Sequence, residues 1–295
     1  MNSSQKTLTQ LTNPEGFIVT NATLQDWQQV ITWENNQGWD ISYQDVSCIY
    51  NIDPKGFFIG RLNDKPIAAV SLINHSDQYA IWGNYIVIPE FRGNGYGRAM
   101  CKIARPHAGH RDIGSNSMPE MTLNYMKSGL VPIHDIIHYI GNPSKTTSNT
   151  KEIIPIEPHH LNAIIHYDAL YFPTSRKRFL KEWLFADGHT AYVKLVNGNI
   201  YGYGVIRPAP YSYRIGPLVA TTPMDAEELF NTLTAHLSLT DQISISVPEN
   251  INESFSSFLH KKAFYEQLRF THMHKGTALK ASSNNIYALA GLELG

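Results

Sequence analysis

Three alternating glycines and one arginine carry the clearest chemistry in this 295-residue chain. The run Tyr85-Ile-Val-Ile-Pro-Glu-Phe-Arg-Gly-Asn-Gly-Tyr-Gly-Arg98 takes an apolar strand past Pro89 into Arg92, Gly93, Gly95 and Gly97, and Ala99 to Ala104 then reads as a helix. Glycine lets the backbone adopt positive φ and lets an oxygen approach main-chain N–H groups closely. A helix that opens there leaves its first N–H groups unpaired and carries about half a positive charge at that end. The chemistry is anion binding, with phosphate the usual guest. A dinucleotide loop, G-x-G-x-x-G, fails because the sixth position from Gly93 is Arg98. A Walker loop fails because Gly97 is followed by Arg98 and Ala99. A tight strand-to-helix turn without a ligand is the plain alternative.

What fits is R-x-x-G-x-G, here Arg92-Gly-Asn-Gly95-Tyr-Gly97, preceded by an apolar strand, a proline and an aromatic residue. This resembles the pyrophosphate loop of the GNAT superfamily, the Gcn5-related N-acetyltransferases. The resemblance implies that Arg92, Gly93, Asn94, Gly95, Tyr96, Gly97 and Arg98 hold the diphosphate of acetyl-CoA. It implies that the backbone of Tyr85, Ile86 and Val87 binds the pantetheine amides as a pseudo-strand, with an N–H there polarising the thioester. It further implies direct attack of an amine on the thioester carbon. Tyr125, four residues before the helix-ending Gly129, is then the proton donor to the leaving thiolate. The asparagine usual earlier on that helix is missing, and Met118 lies seven residues before Tyr125.

The base is not visible. Many members of the superfamily carry a glutamate on the strand before the loop, but Tyr79 to Tyr85 holds no carboxylate, and Asn84 can only orient a water. Asp45, Asp53, His75 and Asp168 are the other candidates. His107 with His110, and His134 with His138, have spacings that metals use, but no third ligand stands out, and no metal is expected. Arg176-Lys-Arg178 reads as a solvated helix face, with a contact to an acidic acceptor or to the CoA 3′-phosphate as the sharper alternative. No G-x-S-x-G elbow marks a serine hydrolase.

The elements that must position these residues come twice. Length suits two domains, and a polar stretch, residues 141–150, separates them as residues 1–143 and 150–295. The first half reads as a strand at 16–20, a helix from 21 capped by Thr23, and a hairpin of 56–62 with 66–73. The strand 79–87, the glycine loop and its helix, a strand at 112, a helix 119–128 and a strand 132–140 complete it. The second half repeats that order, with Asn197-Gly198 as its hairpin turn, helices at 225–237 and 253–262, and a closing strand near 267–275. The fold class is α/β (α+β mixed sheet), with two tandem GNAT-like domains, each a twisted mixed sheet flanked by helices. The runs "GYGVIRP", "YRIGPLVA" and the final "IYALAGLELG" are similar to the YitH-like two-domain members of the superfamily. The second copy departs from the loop pattern. After Ala220 come Thr-Thr-Pro-Met-Asp225, without glycine and with Pro223 removing an N–H. Leu259 stands where Tyr125 stands in the first half. The second half is therefore expected to be degenerate.

Composition bounds the rest. Twenty-four basic residues face twenty-five acidic ones, so neither nucleic acid nor an anionic membrane is an expected partner. Two cysteines, no apolar N-terminal core and no long apolar run fit a cytoplasmic chain without signal peptide or membrane span. The expected function is transfer of acetyl from acetyl-CoA to a small-molecule or peptide amine. An idle acyl-CoA-binding protein, or activity in the second half, is the alternative. The sequence leaves the oligomeric state open.

Overall fold

The computed structural model describes residues 14–144, 151–249, 253–277 and 283–295. The polar N-terminus and residues 145–150 of the expected linker lie outside them, and Gly141 is not linker but the last residue of a strand. The first half contains β1 (Phe17–Asn21), α1 (Leu24–Asn35), α2 (Asp45–Ile52), β2 (Phe57–Leu62), β3 (Lys65–Asn74) and β4 (Tyr79–Val87). It continues with α3 (Tyr96–Ala104), β5 (Asp112–Ser117), α4 (Thr122–Lys127) and β6 (Val131–Gly141). The second half contains β7 (Ile153–Pro155), α5 (Leu161–Asp168), α6 (Lys177–Trp183), β8 (Thr190–Val196), β9 (Asn199–Pro208) and β10 (Tyr213–Ala220). After these come α7 (Pro223–Thr234), β11 (Ile243–Pro248), α8 (Glu253–Lys261), β12 (Tyr265–Lys275) and β13 (Ile286–Ala288).

Local chemistry accounts for these elements. Thr23 accepts from the Asp26 N–H, and Asp26 returns the bond to Thr23, a capping box that starts α1. Trp27, Val30 and Ile31 then form its buried stripe. Helix α2 was not anticipated; Val46, Ile49 and Ile52 are its buried apolar spacing. Asn197 and Gly198 both take positive φ, 51° and 79°, as a two-residue turn between right-twisted strands requires. Two helices that occupy matching places end alike, α4 at Gly129 (φ 86°) and α8 at Ala263 (φ 63°), which supports the pairing of the two halves.

The two halves do not keep separate sheets. Among the described residues one sheet of thirteen strands runs β1-β2-β3-β4-β5-β12-β6-β11-β10-β9-β8-β7, with β13 beside β10. The closing strands have changed places. Strand β12 pairs with β5 of the first half, and β6 pairs with β11 of the second, both antiparallel. This corrects the expectation that each half closes its own sheet. β6 and β12 are neighbours in either arrangement, so periodicity along one strand carries no trace of the exchange.

Three apolar clusters cover the sheet. One packs α3 on the first half, and one packs α7 and α8 on the second. The third joins the halves: Trp27, Ile31 and Ile49 of α1 and α2 meet Ile164, Phe179 and Trp183 of α5 and α6. No helix among the described residues is long and apolar enough to cross a membrane.

Candidate functional site: a forked sheet and its basic groove

Strands β4 and β5 run parallel and pair from Tyr79↔Asp112 to Trp82↔Ser115, where the ladder stops. Strand β4 continues on its other side, with Ile86 opposite Ala69 and Val87 opposite Ala68, after an irregularity between Ala69 and Ser71. The irregularity is held at Asn84, whose φ of 46° is one that asparagine tolerates better than most residues. The Asn84 amide donates to both carboxylate oxygens of Glu34 at 3.1 Å, and its carbonyl accepts from the Ser71 hydroxyl at 2.8 Å. The sheet therefore forks. Tyr85, Ile86 and Val87 present a main-chain edge that β5 has left; the Val87 carbonyl is taken by Arg92, and the remaining main-chain groups on such an edge invite an extended amide-bearing guest.

The glycine loop closes one end of the fork. Gly93 and Gly95 take φ of 80° and 82°, conformations that side chains resist. Gly97 answers a different need: a Cβ there would stand 2.0 Å from the Tyr85 Oη. Arg92 folds back, its Nε donating to the Val87 carbonyl at 2.8 Å and its Nη2 to Gln37 at 3.0 Å. Asn94 donates to the Phe91 and Arg92 carbonyls, and the Tyr96 ring packs on Phe17 at 4.8 Å. These three side chains brace the loop, which leaves main-chain N–H groups as its recognition surface. Helix α3 begins at Gly95 without any side-chain cap, whereas α1 and α7 are capped by Thr23 and Thr222. The N–H groups at the start of α3 are thus left for an outside acceptor.

A groove of about 360 Å³ runs from this point between α3 and α4. Arg98, Lys102 and Arg105 line it from one face of α3, and Lys127 from α4. Tyr125 and Cys101 line it too. Tyr125 sits in the groove with Ser115, the last β5 residue before the fork opens. Burial raises its pKa, with Cys101 nearby adding to the rise, so Tyr125 holds its proton at neutral pH. Burial likewise pushes the Cys101 thiol up to about 11, which makes it a wall rather than a nucleophile.

The opposite face of the fork holds a carboxylate that sequence reasoning missed. Glu34 is fully buried. Burial raises its pKa well above the ordinary range, against the Asn84 hydrogen bond, with Glu293 adding to the rise and Arg214 opposing it. The signal was present: Trp27, Val30, Ile31 and Glu34 share one helical stripe, and a charge at an apolar position marks a site or a network. The base candidates read from sequence are tied up elsewhere. Asp45 is bonded to Arg207 at 2.8 Å and to His189 at 2.9 Å; burial alone would raise its pKa, but Arg207 turns the net shift downward. Asp53 holds His107 at 2.7 Å. His75 meets the Leu294 carbonyl at 3.2 Å, and burial lowers its pKa to about 4. Asp168 is bonded to Arg176 at 2.8 Å and to the Tyr203 hydroxyl. Arg176 is thus buried rather than solvated; Lys177 and Arg178 are exposed. Among the described residues no cluster of three or more His, Cys, Asp or Glu could hold a metal ion.

The second half has the matching fork, filled by the chain itself. Strands β10 and β11 pair from Tyr213↔Ile243 to Ile215↔Ile245, and β13 then lies on β10, with Leu218 opposite Ala288 and Val219 opposite Ile286. The Leu289 N–H reaches the Ser246 carbonyl on β11 at 3.0 Å. The N-terminus of α7 is closed by a Thr222–Asp225 capping box with Pro223 in the first turn. Leu259 is fully buried.

Comparison with known proteins agrees with this geometry. A model of the acetyltransferase (GNAT) family matches residues 24–120, and one of an acetyltransferase (GNAT) domain matches residues 164–288. The holothin acyltransferase of Pseudoalteromonas sp. (strain SANK 73390) is 31% identical over 274 residues, 93% of each chain. Among solved structures, a Pyrococcus horikoshii protein superposes with a TM-score of 0.80 at 17% identity, over 99% of this chain and 100% of that one. A tandem GNAT protein from the clavulanic acid biosynthesis pathway gives 0.58 at 14% identity, over 89% of this chain and 99% of the other. At such identities the two structures speak for the fold alone. The relative and the two family matches carry more: this chain belongs to the GNAT acetyltransferases and is an acyltransferase.

Proposed function

We propose that the chain is an N-acetyltransferase that moves an acetyl group from acetyl-CoA to a small-molecule or peptide amine, and that the first half does the work. The observation that carries this reading is the fork itself: an uncapped helix start, a basic groove and the Tyr125 hydroxyl converge on the point where β4 leaves β5. The residues suit the co-substrate. Main-chain N–H groups of 93–98 face a diphosphate, Arg98, Lys102, Arg105 and Lys127 suit its negative charge, and the edge of Tyr85, Ile86 and Val87 suits the pantetheine amides. Acetyl-CoA supplies an activated acyl group and a thiol that leaves.

The protein's residues divide the rest. Tyr125 holds a proton at its Oη for the departing sulfur. The β4 main chain offers N–H groups toward the acyl oxygen. Glu34 fixes the Asn84 side chain and with it the irregularity that turns the β4 edge outward; enclosed as it is, it positions rather than touches the acceptor. An amine with a lysine-like pKa must also shed a proton, which passes to solvent before the attack at a cost of about 4–5 kcal/mol at pH 7. The filled fork and capped helix of the second half support placing the reaction in the first.

The acceptor named for the 31% identical relative, holothin, is the first amine to try here. The test is release of free thiol from acetyl-CoA with a panel of amines led by holothin. Thiol release above the amine-free blank supports the reading. Tight acetyl-CoA binding without any release would instead favour an idle binder.

A further inference from the structure

The strand exchange sets three polar side chains in one row. Across β5, β12 and β6 the register pairs Asn116 with His272 and His272 with His134. Directly opposed residues share a face of the sheet. Two residues further along, Phe270 and Ile136 lie in the core that joins the halves. His272 and His134 are only half-buried, so the row is where that face opens to solvent. Asn116 is the first β5 residue beyond the fork, and its neighbour Ser115 lines the groove with Tyr125. Successive strand residues point to opposite faces. The row therefore lies across the sheet from the groove that suits the co-substrate, at the same fork.

Hydrogen bonds fix its chemistry. The Asn116 Nδ2 donates to the Leu292 carbonyl at 2.7 Å, which settles the orientation of the amide. Its Oδ1 then faces the His272 Nδ1 at 2.8 Å and can only accept, so Nδ1 carries the hydrogen and the neutral ring presents a lone pair at Nε2. His134 stacks on His272 with ring centroids 5.0 Å apart and planes 22° from parallel. Burial lowers the pKa of both rings, that of His272 to about 3 with His134 and His274 contributing. Uncharged imidazoles do not repel an ammonium group and can accept from an N–H.

We propose that Asn116, His272 and His134 form the acceptor subsite, for a small amine that donates an N–H to the His272 Nε2 and lies along the imidazole pair. The proposal rests on the acyl-transfer reading above. It gives the second half a part in the reaction without a co-substrate of its own: β12, exchanged into the first half, brings His272 against Asn116 at the fork.

Steady-state kinetics of the full chain, with acetyl-CoA and the amine from the panel that supports turnover, tests it. His272→Leu should raise the acceptor KM about tenfold, the loss of one hydrogen bond, and leave the acetyl-CoA KM within about twofold. His272→Gln, whose amide can take the place of Nε2, should recover part of the loss. In the wild-type chain with ¹⁵N-labelled histidine, the acceptor should move the His272 and His134 ring signals ahead of those of the other histidines. An unchanged acceptor KM in His272→Gln and His272→Leu, or ring shifts confined to other histidines, overturns the subsite and leaves acyl transfer standing. A wild-type chain that turns over no amine overturns acyl transfer, and the subsite with it.

Discussion

Gly97→Ala adds one carbon against the Tyr85 side chain at the start of α3. The new Cβ would stand 2.0 Å from the Tyr85 Oη and 2.9 Å from its Cζ, whereas ordinary contact begins near 3.4 Å. The hydroxyl must therefore retreat by about 1.4 Å, the gap between those values. The backbone raises no objection, because Gly97 is the second residue of α3 and is not among the glycines with positive φ. Alanine in place of glycine favours a helix by about 1 kcal/mol. The obstructing atom is the end of a hinged side chain, which puts the overpacking cost at the low end of about 1–3 kcal/mol. The two effects nearly cancel, and the melting temperature should stay within a few degrees of wild type. Binding should not be spared. A displaced Tyr85 ring leaves its contact with Cys101 and moves along the very edge that is to hold the pantetheine amides. We expect the acetyl-CoA Kd, measured by calorimetry, to rise at least about tenfold, or 1.4 kcal/mol. Adding Tyr85→Phe removes the clashing oxygen and should restore most of the affinity, a coupling that a double-mutant cycle reads directly. Unchanged affinity in Gly97→Ala would refute the placement of the co-substrate. Loss without rescue would refute the role given to Tyr85.

Tyr125→Phe removes the proton donor and should lower turnover about a hundredfold while the acetyl-CoA Kd stays within a few-fold; affinity and rate falling together would make the ring structural. Glu34→Gln tests the buried carboxylate through stability. Because burial raises the folded-state pKa of Glu34, the folded chain holds a proton that the unfolded chain has lost, and wild-type stability declines as pH rises from the ordinary glutamate value toward the raised one. The glutamine variant escapes that decline. It should melt a few degrees higher than wild type at pH 8 and equally near pH 4, and the reverse order would mean that Asn84 and Arg214 outweigh burial.

How far the sequence could be read depended on whether a feature was local. Positive φ, capping and strand alternation act within a few residues, so the loop 93–97, the Thr23 cap and the Asn197-Gly198 turn were legible. Tyr125 could be named by resemblance alone; its place beside Ser115 in the groove could not. Glu34 stood in an apolar stripe as a visible anomaly, but only the fold shows that Asn84 answers it. Asp45 and Asp168 looked like free chemistry, and Arg176 like a solvated face, because their partners, Arg207, Tyr203 and each other, are far along the chain or hidden by packing. The fork filled by β13 and the exchange of β6 with β12 are pairings at long range, where one strand offers the same pattern to any neighbour.

That exchange can be tested without a ligand. With β12 beside β5, Thr271 stands opposite Ser117, and directly opposed residues have Cβ atoms about 4.5–5.5 Å apart. In the alternative, where β6 returns to β5, residues 117 and 271 would be two strands apart, or roughly 9–10 Å. A disulfide needs Cβ atoms about 3.5–4.5 Å apart, so small motions close the first distance and not the second. Ser117→Cys with Thr271→Cys should form a cross-link under mild oxidation, seen as a joined peptide in non-reducing digests. Neither native cysteine should compete, since Cys48 is buried and burial pushes the thiols of Cys48 and Cys101 up to about 12 and 11. The replaced hydroxyls give up their bonds, Thr271 to Asp135 and Ser117 to the Met118 carbonyl, both at 2.9 Å, a loss of about 2 kcal/mol that a domain with this core should survive. A folded double variant that stays reduced would separate β12 from β5. His272 would then no longer face Asn116, and the second half would be left with no part in the site.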